Sequence, residues 1–214
     1  LHLLPDSAQR LAEVPAQAPA NGWLWLDVLH EELENDPQAL RDAIQALTGV
    51  RVFDLHLQDA MNIAHPSFFD STQDYEMVVF RKLLNDTGTG APASNSVGKA
   101  NDRRMLRGVP TGPITFFVFD RVLVTVHGAA SRTIDVVRTR LLEFRNRENG
   151  GGSDKQRLPA RPEELMLRLL NAMVDRYLEL RQPLTAQLDR WQRELLDPRR
   201  PFDNWAALLE SRNE

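Results

Sequence analysis

Residues 114–127, ITFFVFDRVLVTVH, decide the fold class. Positions 114–119 and 122–127 are two runs rich in β-branched and aromatic residues. Asp120 and Arg121 between them make a gap of hairpin length, although Asp-Arg is a weaker turn pair than Asn-Gly. Upstream, residues 22–29 (GWLWLDVL) alternate Trp23 and Trp25 and read as a strand ending near Asp27. Residues 75–84 (YEMVVFRKLL) read as a further strand, apolar on both faces at its centre. Helical patterns separate these strands. Residues 37–47 place Leu40, Ile44 and Leu47 on one face, with Asp36 as N-cap and Pro37 at the first position. Residues 53–61 read as a short helix, and residues 134–144 as another, with Ile134, Val137, Leu141 and Phe144 in register.

Beyond the hairpin and that helix the pattern is helical only. From 163 to 196 apolar side chains recur at Met166, Leu169, Met173, Tyr177, Leu180, Leu184, Leu188, Trp191 and Leu195. Steps of three and four make one stripe along an α-helix, about 50 Å long at 1.5 Å per residue. Pro183 lacks an amide hydrogen and should kink or break this helix; one long rod with a kink is favoured over two shorter helices in an up-and-down pair. Asp197-Pro198 ends it, and a second helical pattern starts near Asp203. Strands mixed with helices, then helices alone, imply an α/β domain with a helical extension. The expected organisation is an irregular lead-in over 1–21, an α/β domain over 22–150, a linker over 151–162 and long helices over 163–214. Residues 87–112 read as a loop, and NGGGS at 149–153 as a flexible linker. A start without Met and an end inside a helical pattern imply a chain trimmed at both termini.

Composition narrows the function classes. The chain has 214 residues, 42% hydrophobic and 26% charged, as in ordinary globular proteins. A net charge of −4 argues against general nucleic-acid binding. Without cysteine there are no disulfides, thiolate metal sites or cysteine nucleophiles. No stretch approaches the roughly 18 consecutive apolar residues of a membrane span, and residues 1–19 lack the pattern of a signal peptide.

Enzyme signatures fail on inspection. Gly98-Lys99 lacks the earlier glycine of a phosphate loop, and Ala100 stands where that loop needs Ser or Thr. His30-Glu31-Glu32 has no second histidine on its helical face, no nucleophile elbow is present, and the five histidines are scattered. His56 and His127 read as partly buried, hydrogen-bonded histidines rather than ligands. The remaining candidates are oxygen donors. Asp59 lies near the end of a short helix, ahead of Asn62 and His65. Asn171 and Asp175 are four apart on the long helix and face one way. Such oxygens suit a hard cation such as Mg2+, which keeps most of its waters; a solvated surface charge or polar stripe is the bland alternative.

Five landmarks in order over residues 22–196 resemble the cytoplasmic domain of the CorA family of divalent-cation transporters. They are Trp25-Leu26-Asp27, residues 55–62 (LHLQDAMN), Tyr75 leading the strand to Lys82, residues 116–127 (FFVFDRVLVTVH) and residues 169–177 (LLNAMVDRY). The Thr-Val-His strand end and the Ala-Met-Val-Asp-x-Tyr helix are the most specific. The resemblance implies a three-layer α/β/α sandwich with a mixed sheet, followed by stalk-type helices. It further implies a homopentamer at the cytoplasmic face of the inner membrane, this piece being soluble, with the membrane helices and the Gly-Met-Asn pore motif beyond Glu214. It implies a non-enzymatic role in transport of Mg2+ or Co2+. In the family an acid at the position of Asp59 meets carboxylates of the neighbouring subunit around a regulatory Mg2+, whose loss loosens the ring and favours an open pore. Gln58 stands where the family often has a second acid, and Asn171 where it often has Asp; Asp59 and Asn171 are the metal-ligand candidates.

Three other readings compete. One is a zinc-type member whose domain is a scaffold, which Gln58 and Asn171 mildly favour. Another is a soluble α/β hydrolase with a helical appendage, against which the missing nucleophile, metal and phosphate motifs argue. The last is an oligomerisation adaptor using the helix as a coiled coil, although the period near 3.6 suits a sustained seam poorly.

Overall fold

The computed structural model describes residues 1–84, 110–129, 131–144 and 157–196. Seven strands form one sheet: β1 (His2–Leu4), β2 (Ser7–Gln9), β3 (Trp23–Leu29), β4 (Phe68–Ser71), β5 (Glu76–Leu83), β6 (Thr111–Val118) and β7 (Val122–His127). Their order is β2-β1-β3-β7-β6-β5-β4. β3 and β7 are parallel, Leu24 opposite Val122 through Leu29 opposite His127. The β1–β2, β1–β3, β4–β5 and β6–β7 pairs are antiparallel, so the sheet is mixed. The hairpin turns at Asp120-Arg121 as its length implies, with the Phe119 amide on the Val122 carbonyl at 2.9 Å.

Five helices complete the described residues: α1 (His30–Asn35), α2 (Pro37–Thr48), α3 (Asp54–Met61), α4 (Arg132–Glu143) and α5 (Pro162–Leu196). Alternation along the strands sorts side chains into two cores. Leu24, Phe117, Val122, Val124 and Val126 pack with Leu33, Leu40, Ile44 and Leu57 of α1–α3. Trp23, Trp25, Phe116, Leu123 and Ile114 pack with Ile134, Leu141, Leu165, Leu169 and Met173 of α4 and α5. Helices therefore cover both faces, giving the α/β/α sandwich. Central strands apolar on both faces are what such a fold demands.

Within the expected lead-in, residues 10–21 form no helix or strand, but residues 1–9 are not irregular. They supply β1 and β2, held by backbone pairing at the sheet edge rather than by a long apolar pattern. The short helix α1 and the strand β4 likewise go unannounced by the sequence pattern. The chain divides into two units, Leu1–Lys82 with Gly112–Met173, and Leu83–Thr111 with Val174–Glu214. The first turns of α5 thus belong to the sandwich, and the expected boundary at 162 falls inside a packed layer. The buried face there is Leu165, Leu169 and Met173, with Met166 half-buried.

α5 continues through residue 183 without a break, so Pro183 does not end it. In the second unit Trp191 is buried, whereas Leu188 and Leu195 of the expected stripe are exposed. The loop at 87–112 apart from its last residues, the linker at 149–153, the Asp197-Pro198 stop and the helix from Asp203 lie outside the described residues. Among the described residues no helix is long and apolar enough to cross a membrane.

Candidate metal centre

Asp59 sits in the last turn of α3, where its carboxylate meets the negative end of the helix dipole and gains from a nearby cation. The side chain it approaches among the described residues is that of His65, with Nε2 3.5 Å from Oδ1 and the two side chains 14% and 22% exposed for His65 and Asp59 respectively. The segment carrying His65 is tightly defined. The Asn62 side chain accepts from the Ala64 amide at 3.0 Å, an Asx turn, and the Asn62 carbonyl accepts from the His65 amide at 3.0 Å. The Arg81 guanidinium from β5 donates to the carbonyls of Ile63 and His65 at 3.1 and 2.9 Å. The His65 ring stands edge-on to Phe68, centroids 5.6 Å apart.

The other end of α3 is anchored by a half-buried relay. The Tyr75 hydroxyl accepts from the Phe53 amide at 3.1 Å and lies 2.7 Å from His56 Nδ1. His56 Nε2 is 3.0 Å from Asp70. Tyr75 O–H donating to Nδ1 and Nε2–H donating to the carboxylate satisfies the Tyr75 hydroxyl and both His56 ring nitrogens. Burial first, and then the charges of Asp70 and Asp74, push the phenol above its ordinary value against the Phe53 amide. His56 is thus the satisfied core histidine that its position implied.

His127 is likewise buried and bonded, in a second cluster at the carboxyl ends of β3 and β7. The helices after β3 cover one sheet face and α4 after β7 covers the other, the arrangement that opens crevices in α/β sheets. A cavity of about 670 Å³ lies there, lined in part by Asp27, Leu33, His127 and Arg138. Asp27 Oδ1 accepts from His127 Nε2 at 2.9 Å and from the Thr125 hydroxyl at 2.5 Å; Oδ2 pairs with Arg138. Trp25 Nε1 donates to the Thr125 hydroxyl at 3.0 Å. Burial alone would raise the Asp27 carboxyl, but the His127 bond and charge, the Thr125 hydroxyl and Arg138 together hold it below its ordinary value. With three donors already on it, Asp27 is committed to structure rather than to a ligand. It fastens β3, β7 and α4 together.

Asn171 does not join Asp59. α3 packs on one face of the sheet and the Leu169–Met173 turn on the other, so within one chain the two lie across the sheet. Asn171 and Asp175 are both exposed on α5, and Gln58 is exposed beside Asp59. Among the described residues no group of three or more metal-binding side chains forms. In the sequence His65 stands out only as a neighbour of Asp59. The signal that could mark it is an imidazole just past the helix end, ahead of Pro66.

The profile of a family described as CorA-like Mg2+ transporter protein matches residues 21–205. No curated protein sequence matches the chain. Among solved structures the chain is similar to the full-length CmaX protein, at 17% identity over 89% of this chain and 48% of that one, TM-score 0.57. It is also similar to the ZntB cytoplasmic domain from Vibrio parahaemolyticus, at 14% identity over 97% and 69%, TM-score 0.57. The complete CorA magnesium transporter from Methanocaldococcus jannaschii matches at 14% identity over 83% and 45%, TM-score 0.48. The CmaX and ZntB likenesses are likenesses of fold. The chain spans about half the length of the full-length CmaX protein.

Proposed function

The chain belongs to the family of CorA-like Mg2+ transporter proteins, and from that premise we propose that it is the cytoplasmic regulatory domain of a divalent-cation transporter rather than an enzyme. In this reading it sits at the cytoplasmic face of the membrane, assembles as a homopentamer with further copies of itself, and connects to membrane helices outside this sequence. Intracellular Mg2+ bound at Asp59 between subunits neutralises converging carboxylates and holds the ring closed. Falling Mg2+ shifts the population toward an open pore, because the closed ring binds the ion better.

The observation that carries the reading is Asp59 itself, a partly exposed carboxylate at a helix C-terminus with no lysine or arginine paired to it among the described residues. The full-length protein provides the test. Mg2+ should protect it from proteolysis, and Asp59→Ala should abolish that protection. Protection that survives the substitution removes Asp59 from the sensor.

A second reading is a zinc-type transporter whose domain is a scaffold. The exposed Gln58 and Asn171 favour it, because neither adds a carboxylate to Asp59. Flux of Mg2+, Co2+ and Zn2+ through the intact protein separates the two.

A further inference from the structure

Asp59 Oδ1 and His65 Nε2 face one another at 3.5 Å, outside the 2.7–3.2 Å of an ordinary N–H···O bond. The other ring nitrogen fixes the tautomer. Nδ1 is 2.8 Å from the Pro66 carbonyl, which can only accept, so Nδ1 carries the proton. In the neutral ring Nε2 is then an acceptor, 3.5 Å from a carboxylate oxygen that also accepts. Two acceptors this close are drawn together favourably by a proton or a cation shared between them.

The gap has the dimensions for a cation. A tetrahedral ion with nitrogen and oxygen ligands at about 2.0–2.2 Å holds those donors roughly 3.4 Å apart. An imidazole whose distal N–H is tied to a backbone carbonyl is the usual oriented ligand of such an ion. The ring is also held in place by Phe68 and by the Arg81-clamped loop, so little ordering remains to be done on binding.

We propose that Asp59 and His65 of one chain form a two-ligand half-site that takes a borderline divalent cation, Zn2+ foremost, in preference to Mg2+. Imidazole nitrogen suits zinc and its neighbours, whereas Mg2+ favours oxygen and keeps its water. The remaining coordination positions go to water or to a group from outside this chain. The inference concerns the same Asp59 as the sensor reading and rests on it for any role in gating; the zinc chelate belongs to a single chain, whereas the Mg2+ of that reading is held by carboxylates of two subunits.

The test is a titration of the tag-free, 15N-labelled 214-residue chain with ZnCl2 and, separately, MgCl2, reading the ring nitrogens of each histidine by NMR. Zn2+ should move His65 Nε2 and leave Nδ1 protonated, and MgCl2 at the same concentration should not. Zinc affinity should exceed magnesium affinity by at least about tenfold, and His65→Gln should bring the two within about threefold. Asp59→Asn should weaken zinc at His65, with unchanged thermal melts showing that both variants are folded. An unmoved His65 ring, or a zinc shift equally strong in Asp59→Asn, overturns the half-site and leaves an imidazole–carboxylate ion pair only. Failure of the half-site is separable from failure of the sensor. Loss of Mg2+ protection in Asp59→Ala with no zinc at His65 sinks the half-site alone, and zinc at His65 with protection intact sinks the sensor alone.

Discussion

At the scale of single residues, the two described glycines with positive φ have opposite surroundings. Both Gly22 and Gly49 sit at φ 75°. A Cβ on Gly22 would lie 2.0 Å from the Leu3 carbonyl oxygen, where β1 runs against the start of β3. Arg121 in the hairpin turn braces the same point, donating to the Pro19 and Gly22 carbonyls at 2.6 and 2.8 Å. A Cβ on Gly49, the left-handed cap of α2, meets nothing within 4 Å. Gly49→Ala should therefore cost only the left-handed backbone, about 1–2 kcal/mol. Gly22→Ala adds a backbone collision and should exceed roughly 3 kcal/mol. Urea unfolding of the two variants measures both, and equal losses would show that β1 yields freely.

Among the elements, α3 is the one on which the metal reading depends, and the Tyr75 hydroxyl fixes its entry. Tyr75→Phe leaves buried His56 Nδ1 and the part-buried Phe53 amide without this partner, a loss of about 1–3 kcal/mol. Amide exchange should quicken at Phe53 and the first turn of α3 while α2 stays protected; uniform quickening would mean that the relay supports the whole sandwich. Legibility in the sequence follows the same physics. The hairpin, β3, α2 and α4 can be read because each carries its own periodicity, and α2 also shows an Asp36 cap and a Pro37 start. β1, β2 and β4 are three or four residues long, too short for a period, and exist because a neighbouring strand offers hydrogen bonds. At Pro183 the favoured reading of one continuous rod holds, because the helical pattern on both sides outweighs a single unfavourable residue. Asp59 is legible through family landmarks. Its pairing with His65, and the union of Asp27 with Thr125, His127 and Arg138, depend on tertiary approach.

For the molecule as a whole, one buried and one half-buried group give stability two separate acid windows. His30 begins α1 with Nε2 buried and without a partner. Desolvation, set against Glu34 and reinforced by His127 and Lys82, holds its pKa below 6.5. The folded ring stays neutral while the unfolded ring takes a proton. Its contribution is therefore complete above about pH 6.5 and is lost as pH falls toward the lower folded value. Asp27 is ionised in the fold with its pKa below 3.8. Its contribution is intact above that point and is lost as pH drops through the depressed folded value. Unfolding midpoints measured from pH 8 to pH 3 should fall in a first stage below 6.5 and a second below 3.8. His30→Gln should flatten the first stage only. Asp27→Asn should flatten the second, and should already cost roughly 2–3 kcal/mol at neutral pH, less than a fully buried pair because Arg138 is partly exposed. A first stage that persists in His30→Gln would assign it to another group. Both windows open on the carboxyl ends of β3 and β7, so acid should loosen the join between α1, α4 and the central parallel pair before it reaches the apolar layers.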